Sequence, residues 1–457
     1  MRAPELSRPR SIHVVGVGGV GMSAYASVLA AMGHHVTGSD LKASPVFERL
    51  QAAGVNVTVG HDTTNVLNAD LVAVSSAVPS NDPEVEEASR LGIPVVSRGE
   101  LLAAITASRR CIAVAGTHGK TTTTSMLALI MVEAGMRPSF LVGGDLNEIG
   151  TNAVWDDGEW LVVESDESDG TFLKLRPEIA VITNIEPDHL DYYGDANALE
   201  AAFERFAESR SGPLVVGGDD KAASSMGRRL GGDLVGSAEG TDWRIEGLVV
   251  KREGSFFDVI HEATPVATIS LPIAGSHNAR NAAVAAVAAH YAGAPFEAAE
   301  RALARFAGVT RRFESRGEAN GVAFVDDYAH LPTEVRAALE AARTGDWNRI
   351  VAVFQPHRFS RTQDLWESFA DAFADADVAV VTDVYAAGER PLPGVTGKLI
   401  ADAVKDAHPE ADIRYVAGRQ ELRESLSHEL RPGDLCLTLG AGDLTSLADE
   451  LLTEPSW

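Results

Sequence analysis

Between Ala113 and Thr124 the chain reads AVAGTHGKTTTT. An apolar strand that runs into a glycine turn and then a threonine-rich helix start aims successive backbone N–H groups, and the helix N-terminus, at one point. Such a loop suits phosphate. Lys120 adds a mobile positive charge and Thr121 a hydroxyl fit for Mg²⁺. The spacing from Gly116 through Gly119 is G-x-x-G-K-T, shorter than the common phosphate loop, because Val114 stands where the longer form has its first glycine. A purely structural turn would not need lysine and threonine in the positions that phosphate requires.

Other stretches carry compatible chemistry. VVESDESDGTF, from Val162 to Phe172, is an apolar strand ending in clustered acids. Glu164 at that strand end is where a Mg²⁺ ligand belongs, although such a cluster also describes a solvated turn. His189, in NIEPDHLDYYG, follows another strand. A lone histidine is usually structural, but beside Glu164 and a phosphate loop it becomes a candidate second-metal ligand. SHNARNA sets His277, Asn278 and Asn281 at a helix start, where Asn278 could equally be a helix cap. DDYAHLPTE and FQPHRFSRT end two further strands. His330, His357, Arg358 and Arg361 therefore stand where open α/β sheets bind ligands, and paired arginines suit a carboxylate; each alone also fits a surface position. Near the N-terminus, Gly16, Gly18 and Gly21 satisfy G-x-G-x-x-G after a strand, and Asp40 ends the next strand. By itself that pattern favours a nicotinamide dinucleotide. Physically it requires only a turn that admits a pyrophosphate, which a UDP-sugar also offers.

The elements that must position these residues alternate along the chain. IHVVGV, HHVTGSD, VNVTVG, LVAVSSAV and IPVVSR are strand-like runs separated by helical patterns, the rhythm of a parallel sheet with crossovers. The rhythm restarts at RRCIAVAGTHGK, passes through a short strand-rich excursion from Thr241 to Leu271, and restarts again near TRRFESRG. At 457 residues the chain suits about three domains. The expected divisions are residues 1–107, 108–311 and 312–457. With 45% hydrophobic and 23% charged residues the composition is that of an ordinary globular protein. A net charge of −26 argues against a nucleic-acid partner, since phosphate backbones need a basic face. Cys111 and Cys436 both lie in apolar strand-like runs, which favours buried thiols in a reduced, cytoplasmic setting over a disulfide. Arg2, Arg8 and Arg10 precede an apolar stretch, as in a secretory signal, but His13 and four glycines interrupt it. No apolar run reaches the length of a membrane span.

Ten stretches in order, GVGGVGMS, GSD, SSAV, GTHGKTTT, ESDESDGTFL, NIEPDHLDYY, GSHNARNA, RRFE, DDYAHLPTE and FQPHRFSRT, resemble the Mur ligases, the ATP-dependent peptide ligases of peptidoglycan precursor synthesis. YAAGERPLPG and LGAGD extend the resemblance, which covers essentially the whole chain. It implies an α/β protein of three domains: a Rossmann-like N-terminal domain for a UDP-sugar, a central phosphate-loop domain for ATP and Mg²⁺, and a Rossmann-like C-terminal domain for an amino acid. By resemblance, Gly116, Thr117, His118, Gly119, Lys120, Thr121 and Thr122 would hold the ATP phosphates. His277, Asn278, Asn281 and Arg312 would lie around ATP, while Thr121, Glu164 and His189 would carry Mg²⁺. Gly18, Gly19, Ser23, Asp40, His61, Ser75 and Ser76 would contact the UDP moiety. Tyr328, His330, His357, Arg358 and Arg361 would surround the amino acid, with His330 assisting removal of the amine proton.

The activity implied is that of the alanine-adding branch: L-alanine joined to the lactyl carboxylate of UDP-N-acetylmuramate through an acyl phosphate. The partners implied are these small molecules, with no nucleic acid and no membrane, for a monomer or homodimer. Two departures stand out. Leu331 occupies the place where many relatives carry a second histidine, and no lysine occurs between Lys174 and Lys221 that could be carbamylated near a second metal. A tripeptide-recycling ligase would share nearly every motif. An NAD-dependent oxidoreductase explains Gly16 to Asp40 but leaves Lys120, Glu164 and His189 idle, as does a non-catalytic UDP-sugar sensor.

Overall fold

The structure, a computed structural model, describes residues 4–453. Arg2 and the outermost ends of the first and third expected domains therefore lie outside the described residues. Three sheets follow one another along the chain.

The first sheet is all parallel and contains β1 (Ser11–Val15), β2 (His35–Asp40), β3 (Asn56–Val59), β4 (Leu71–Val74) and β5 (Val95–Ser97), in the order β3-β2-β1-β4-β5. The order reverses at β1, so the loop after β1 opens into the crevice between diverging connections, where such sheets bind ligands. Gly16, in that loop, has φ +78°, and a Cβ there would come within 2.9 Å of the Ser75 side chain. The helix Val20–Ala31 follows, and Gly33 at φ +90° ends it as the sequence requires.

The second sheet has ten strands: β6 (Arg110–Ala115), β7 (Ser139–Leu146), β8 (Thr151–Val154), β9 (Trp160–Glu164), β10 (Ile179–Ile182), β11 (Leu214–Gly217), β12 (Asp233–Gly236), β13 (Trp243–Lys251), β14 (Gly254–His261) and β15 (Thr264–Leu271). Strand β6 is central and buried apart from its first residue, which explains its unbroken apolar run. Its neighbours are β9 and β10, both parallel to it; Val114 is in register with Glu164, and Ala115 with Ile182. Three chain segments thus leave the sheet at one edge: the glycine loop after β6, Glu164 with the acids after β9, and Thr183 to His189 after β10. The strand-rich excursion extends this same sheet: β13 pairs parallel with β12, and β14 and β15 follow as antiparallel strands.

The third sheet joins β16 (Glu314–Ala319), β17 (Val322–Asp327), β18 (Arg349–Phe354), β19 (Val378–Val381), β20 (Ile413–Tyr415) and β21 (Asp434–Leu439) in the order β16-β17-β21-β18-β19-β20. All pairs except β16–β17 are parallel. Leu439 of β21 is in register with both Asp327 and Phe354, so the loops carrying Tyr328 to His330 and His357 to Arg361 emerge side by side. Both cysteines are buried and free, on β6 and β21. Among the described residues no helix is long and apolar enough to cross a membrane.

Candidate active site

Gly116 and Gly119 have φ of +140° and +75°. A Cβ on Gly116 would lie 2.0 Å from Thr183 Oγ1, and one on Gly119 would lie 2.5 Å from Asn281 Oδ1. At Gly116 a Cβ would also meet the backbone of Thr183 and Asn184, and at both positions the φ strains any L side chain. The segment that follows β10 supplies the outer wall of the loop: Asn184 Oδ1 accepts from the His118 N–H (2.8 Å), and Thr183 Oγ1 donates to the His118 carbonyl (2.6 Å). Thr117 is tied to the Glu186 backbone in both directions. The helix Lys120–Glu133 starts directly from this loop and packs against the Ala-rich helix Ser276–Tyr291.

A cavity of about 290 Å³ adjoins the loop, at the seam between the second and third sheets. Seven of the expected ATP residues line it: His118, Gly119, Thr122, His277, Asn278, Asn281 and Arg312. The helix at SHNARNA begins earlier than a cap at Asn278 would require. Gly275 is the cap, and Asn278 donates from inside the first turn to the Ala274 carbonyl (2.8 Å). Burial, with Arg280 and Arg312 nearby, pushes His277 down to about 4 and keeps it neutral.

Gly116, Thr117, Lys120 and Thr121 complete the phosphate side. Lys120 Nζ donates to the Gly116 and Thr117 carbonyls (2.7 and 3.3 Å) and lies 2.8 Å from Glu167. Glu167 is buried, and burial, only partly offset by Lys120, raises its carboxyl to about 7. The sequence pointed to the acid cluster but not to this member, which the solvated-turn reading does not fit. Asp166 and Asp169 form ion pairs with Arg98 of the first domain (2.8 and 3.2 Å). Thr121 Oγ1 donates to Glu164 Oε1 (3.0 Å), and the Gly143 N–H donates to the other carboxylate oxygen (2.7 Å). His189, at φ +55°, has its Nε2 3.1 Å from Asp188 and 3.9 Å from Glu167. A hydroxyl, a carboxylate and a burial-neutralised imidazole around one edge form a donor set that fits a divalent cation.

The amino-acid candidates sit across the seam. Tyr328 and His330 rings are 5.5 Å apart, His330 and His357 5.8 Å, and His357 stacks on Tyr385. His330 Nδ1 donates to the Tyr328 carbonyl (3.0 Å), which leaves Nε2 with its lone pair. Burial lowers His330 to about 4 against the pull of Glu334, and His357 falls to about 3. Arg361 does not present a free fork to a carboxylate. It is buried, donates to both oxygens of Asp188 (2.9 and 3.2 Å), and holds the His357 carbonyl (3.2 Å). Arg358 is more open, 3.9 Å from Asp191. A smaller cleft brings His189, Arg358 and Arg361 together.

At the first sheet, the Gly18 N–H is already engaged by Asp40 Oδ2 (2.9 Å), so Asp40 braces the glycine loop in this state. Gly19 caps the helix, and the Ser23 hydroxyl turns back to the Val20 carbonyl (3.0 Å). Ser75 packs beneath Gly16 and Ser76 is exposed. His61 is hydrogen-bonded to Asp82, while its buried Nε2 has no partner. Beside it, Glu84 accepts from Ser39, Asn65 and the Asp62 N–H, a buried network absent from the sequence reading.

A phosphate loop at a sheet edge, with a hydroxyl, a carboxylate and an imidazole beside it and a second α/β domain across the seam, is the arrangement of a nucleotide-dependent group-transfer protein. Comparison with known proteins agrees domain by domain. Residues 11–110 match the Mur ligase family catalytic domain, 114–289 the Mur ligase middle domain and 311–442 the Mur ligase glutamate ligase domain. The chain belongs to the Mur ligase family. It is 44% identical to the UDP-N-acetylmuramate–L-alanine ligase of Anaeromyxobacter sp. (strain Fw109-5), over 98% of each chain. It is 46% identical to that of Rubrobacter xylanophilus, over 96% of this chain and 99% of the relative. The crystal structure of UDP-N-acetylmuramate-alanine ligase MurC from Thermotoga maritima superposes with a TM-score of 0.80 at 29% identity, covering 96% and 98% of the two chains. A murein peptide ligase from Psychrobacter arcticus gives 0.70 at 26%, covering 97% and 98%.

Proposed function

We propose that this protein is an ATP-dependent ligase that joins L-alanine to the lactyl carboxylate of UDP-N-acetylmuramate, forming ADP and phosphate, in peptidoglycan precursor synthesis. The reading is carried by one observation: Lys120, Thr121 and Glu164 converge at the sheet edge that faces His330 across the domain seam. Relatives at 44 and 46% identity over nearly their whole length bear the same activity in their names. An oxidoreductase reading leaves this machinery without work.

We assign residues 1–107 to UDP-sugar binding, 108–311 to ATP and Mg²⁺, and 312–457 to the amino acid. Gly18, Gly19, Ser23, Asp40, His61, Ser75 and Ser76 anchor the UDP end, and ATP occupies the cavity beside the phosphate loop. Thr121, Glu164 and His189 would hold Mg²⁺, which when bound neutralises phosphate charge as a Lewis acid. A carboxylate is a poor acyl donor, so the lactyl carboxylate first attacks the γ-phosphorus, the bond from that phosphorus to the β,γ-bridging oxygen breaks, and ADP leaves, giving the acyl phosphate. Lys120 then has to exchange Glu167 and its own loop carbonyls for phosphate oxygens, offsetting the charge gathering there. The alanine amine attacks the acyl phosphate, and the ammonium of the tetrahedral intermediate is acidic enough to pass its proton to the neutral Nε2 of His330. Phosphate leaves as the amide forms. Arg358, His357 and Tyr328 border the amine, and closure of the seam keeps water from the acyl phosphate.

Phosphate release from ATP, measured with UDP-N-acetylmuramate and a panel of amino acids and L-Ala-γ-D-Glu-meso-diaminopimelate, tests the reading. Turnover should require both the sugar nucleotide and L-alanine. Selective turnover of the tripeptide would reassign the substrate to the recycling reaction, and NADH consumption without ATP would remove the ligase class.

A further inference from the structure

One side chain on the third domain touches both halves of the seam. Glu334 is the third residue of the helix Pro332–Ala342, and its Oε2 accepts from the backbone N–H of His330 (2.9 Å) and Leu331 (3.2 Å). The same oxygen lies 3.3 Å from His330 Nδ1. Its other oxygen lies 3.2 Å from Nδ1 of His118, inside the phosphate loop of the second domain, and 3.8 Å from Arg312. His118 Nε2 meets Glu186 (3.1 Å) and the Thr333 hydroxyl (3.0 Å), and that hydroxyl donates to Glu186 (2.7 Å). The cluster therefore joins the loop after β6, the loop after β10 and the start of one helix of the opposite domain. Its central pair is withdrawn from water: side-chain exposure is 14% for His118 and 11% for Glu334, while Glu186 and Arg312 at its rim are half-buried.

The geometry is close but incomplete. Nδ1 of His118 is buried and faces Glu334 within ion-pair distance, yet without hydrogen-bond alignment. A small rotation of the third domain against the second would complete that bond, and no other acceptor is aligned on that nitrogen. Burial drives the His118 imidazole toward its neutral form, but Glu334 and Glu186 outweigh it and raise the group to about 9. The contact is thus an ion pair at neutral pH, strong because it is dry, and dependent on how the two domains sit.

We propose that Glu334 is a positioning residue that couples the phosphate loop to the amino-acid side of the site, its two oxygens holding His118 of the central domain and His330 of the C-terminal domain. Nucleotide in the loop sets His118, His118 sets Glu334, and Glu334 sets the peptide and ring of His330 against which the amine arrives. This rests on the ligase reading for the identity of the two substrates but not for the contact itself.

Glu334→Gln separates coupling from folding. Glutamine at the third helical position still caps the helix, so the fold persists while the charge is lost. The test compares wild type, Glu334→Gln, His118→Asn and the double variant in two assays: fluorescence titration with N-methylanthraniloyl-ATP, and steady-state phosphate release. Each single variant should weaken the nucleotide about tenfold, and the double no more than about threefold beyond the worse single, because both break one contact. Glu334→Gln should also raise the KM for L-alanine about tenfold, with an unchanged circular dichroism spectrum at the assay temperature. Multiplying single effects, or an unchanged alanine KM in Glu334→Gln, would overturn the coupling. A wild type that binds the nucleotide analogue but releases no phosphate would instead sink the ligase reading, and the titration cycle would still decide the His118–Glu334 contact.

Discussion

Replacing Asp188 by asparagine isolates the ion pair that ties the central domain to the C-terminal one. Asp188 and Arg361 have 5% and 8% side-chain exposure, and the guanidinium meets both carboxylate oxygens. Burial pushes the Asp188 carboxyl up, but Arg361 and His189 more than reverse this and hold it at about 2, against 3.8 for the free group. That difference corresponds to about 2.5 kcal/mol in favour of the ionised form. Asparagine keeps the shape but leaves the arginine buried and uncompensated, for which the general cost is about 3–5 kcal/mol. The two figures bracket the effect at roughly 2.5–5 kcal/mol. At about 2–4 °C per kcal/mol for a domain of this size, the calorimetric transition of the C-terminal domain should fall by at least about 5 °C at pH 7. Because the folded pKa is depressed, this contribution is present above pH 3.8 and is lost as pH falls toward 2; the two proteins should converge there. A wild-type transition in Asp188→Asn at pH 7, or a gap that stays constant down to pH 2, would refute the reasoning.

Three other sites follow the same reasoning. Glu84→Gln should lose about 3 kcal/mol at neutral pH, since burial opposes but His13, Ser39 and Asn65 secure an ionised carboxyl at about 2 in place of 4.5; that difference should vanish in acid unfolding between pH 4.5 and 2, and a constant difference would contradict it. Gly116→Ala should abolish nucleotide binding in an N-methylanthraniloyl-ATP titration, because its Cβ would sit 2.0 Å from Thr183 Oγ1 at φ +140°; near-normal affinity would show that β10 yields more than the packing implies. Cys111 and Cys436, whose thiols burial raises to about 12, should react with Ellman's reagent only after unfolding.

Much of this was legible in the residues themselves. The apolar run before Gly116 announces a central strand, and glycines at 116 and 119 announce a loop only they can make, because both facts are local. The alternation of strands and helices carries the α/β class for the same reason. What stayed hidden depends on partners far apart in sequence. Asp188 and Arg361 are 173 residues apart, and nothing in FQPHRFSRT says that its second arginine is already taken. Glu167 looked like one more acid in ESDESD until β9 and β6 placed it over Lys120. The excursion from Thr241 to Leu271 was legible as short strands, but not where they attach, because edge pairing with β12 leaves no local mark. Glu334 did leave a signal, a glutamate two residues after the proline that opens a helix, but its second oxygen facing His118 is a product of domain packing alone.

The central claim is that phosphate is moved onto the lactyl carboxylate before the amide forms. UDP-N-acetylmuramate labelled with ¹⁸O in both carboxylate oxygens tests it directly, with the released phosphate examined by mass spectrometry. One ¹⁸O should appear in each phosphate released with L-alanine present, and Lys120→Ala should release none. Unlabelled phosphate formed at the rate of ligation would contradict the account.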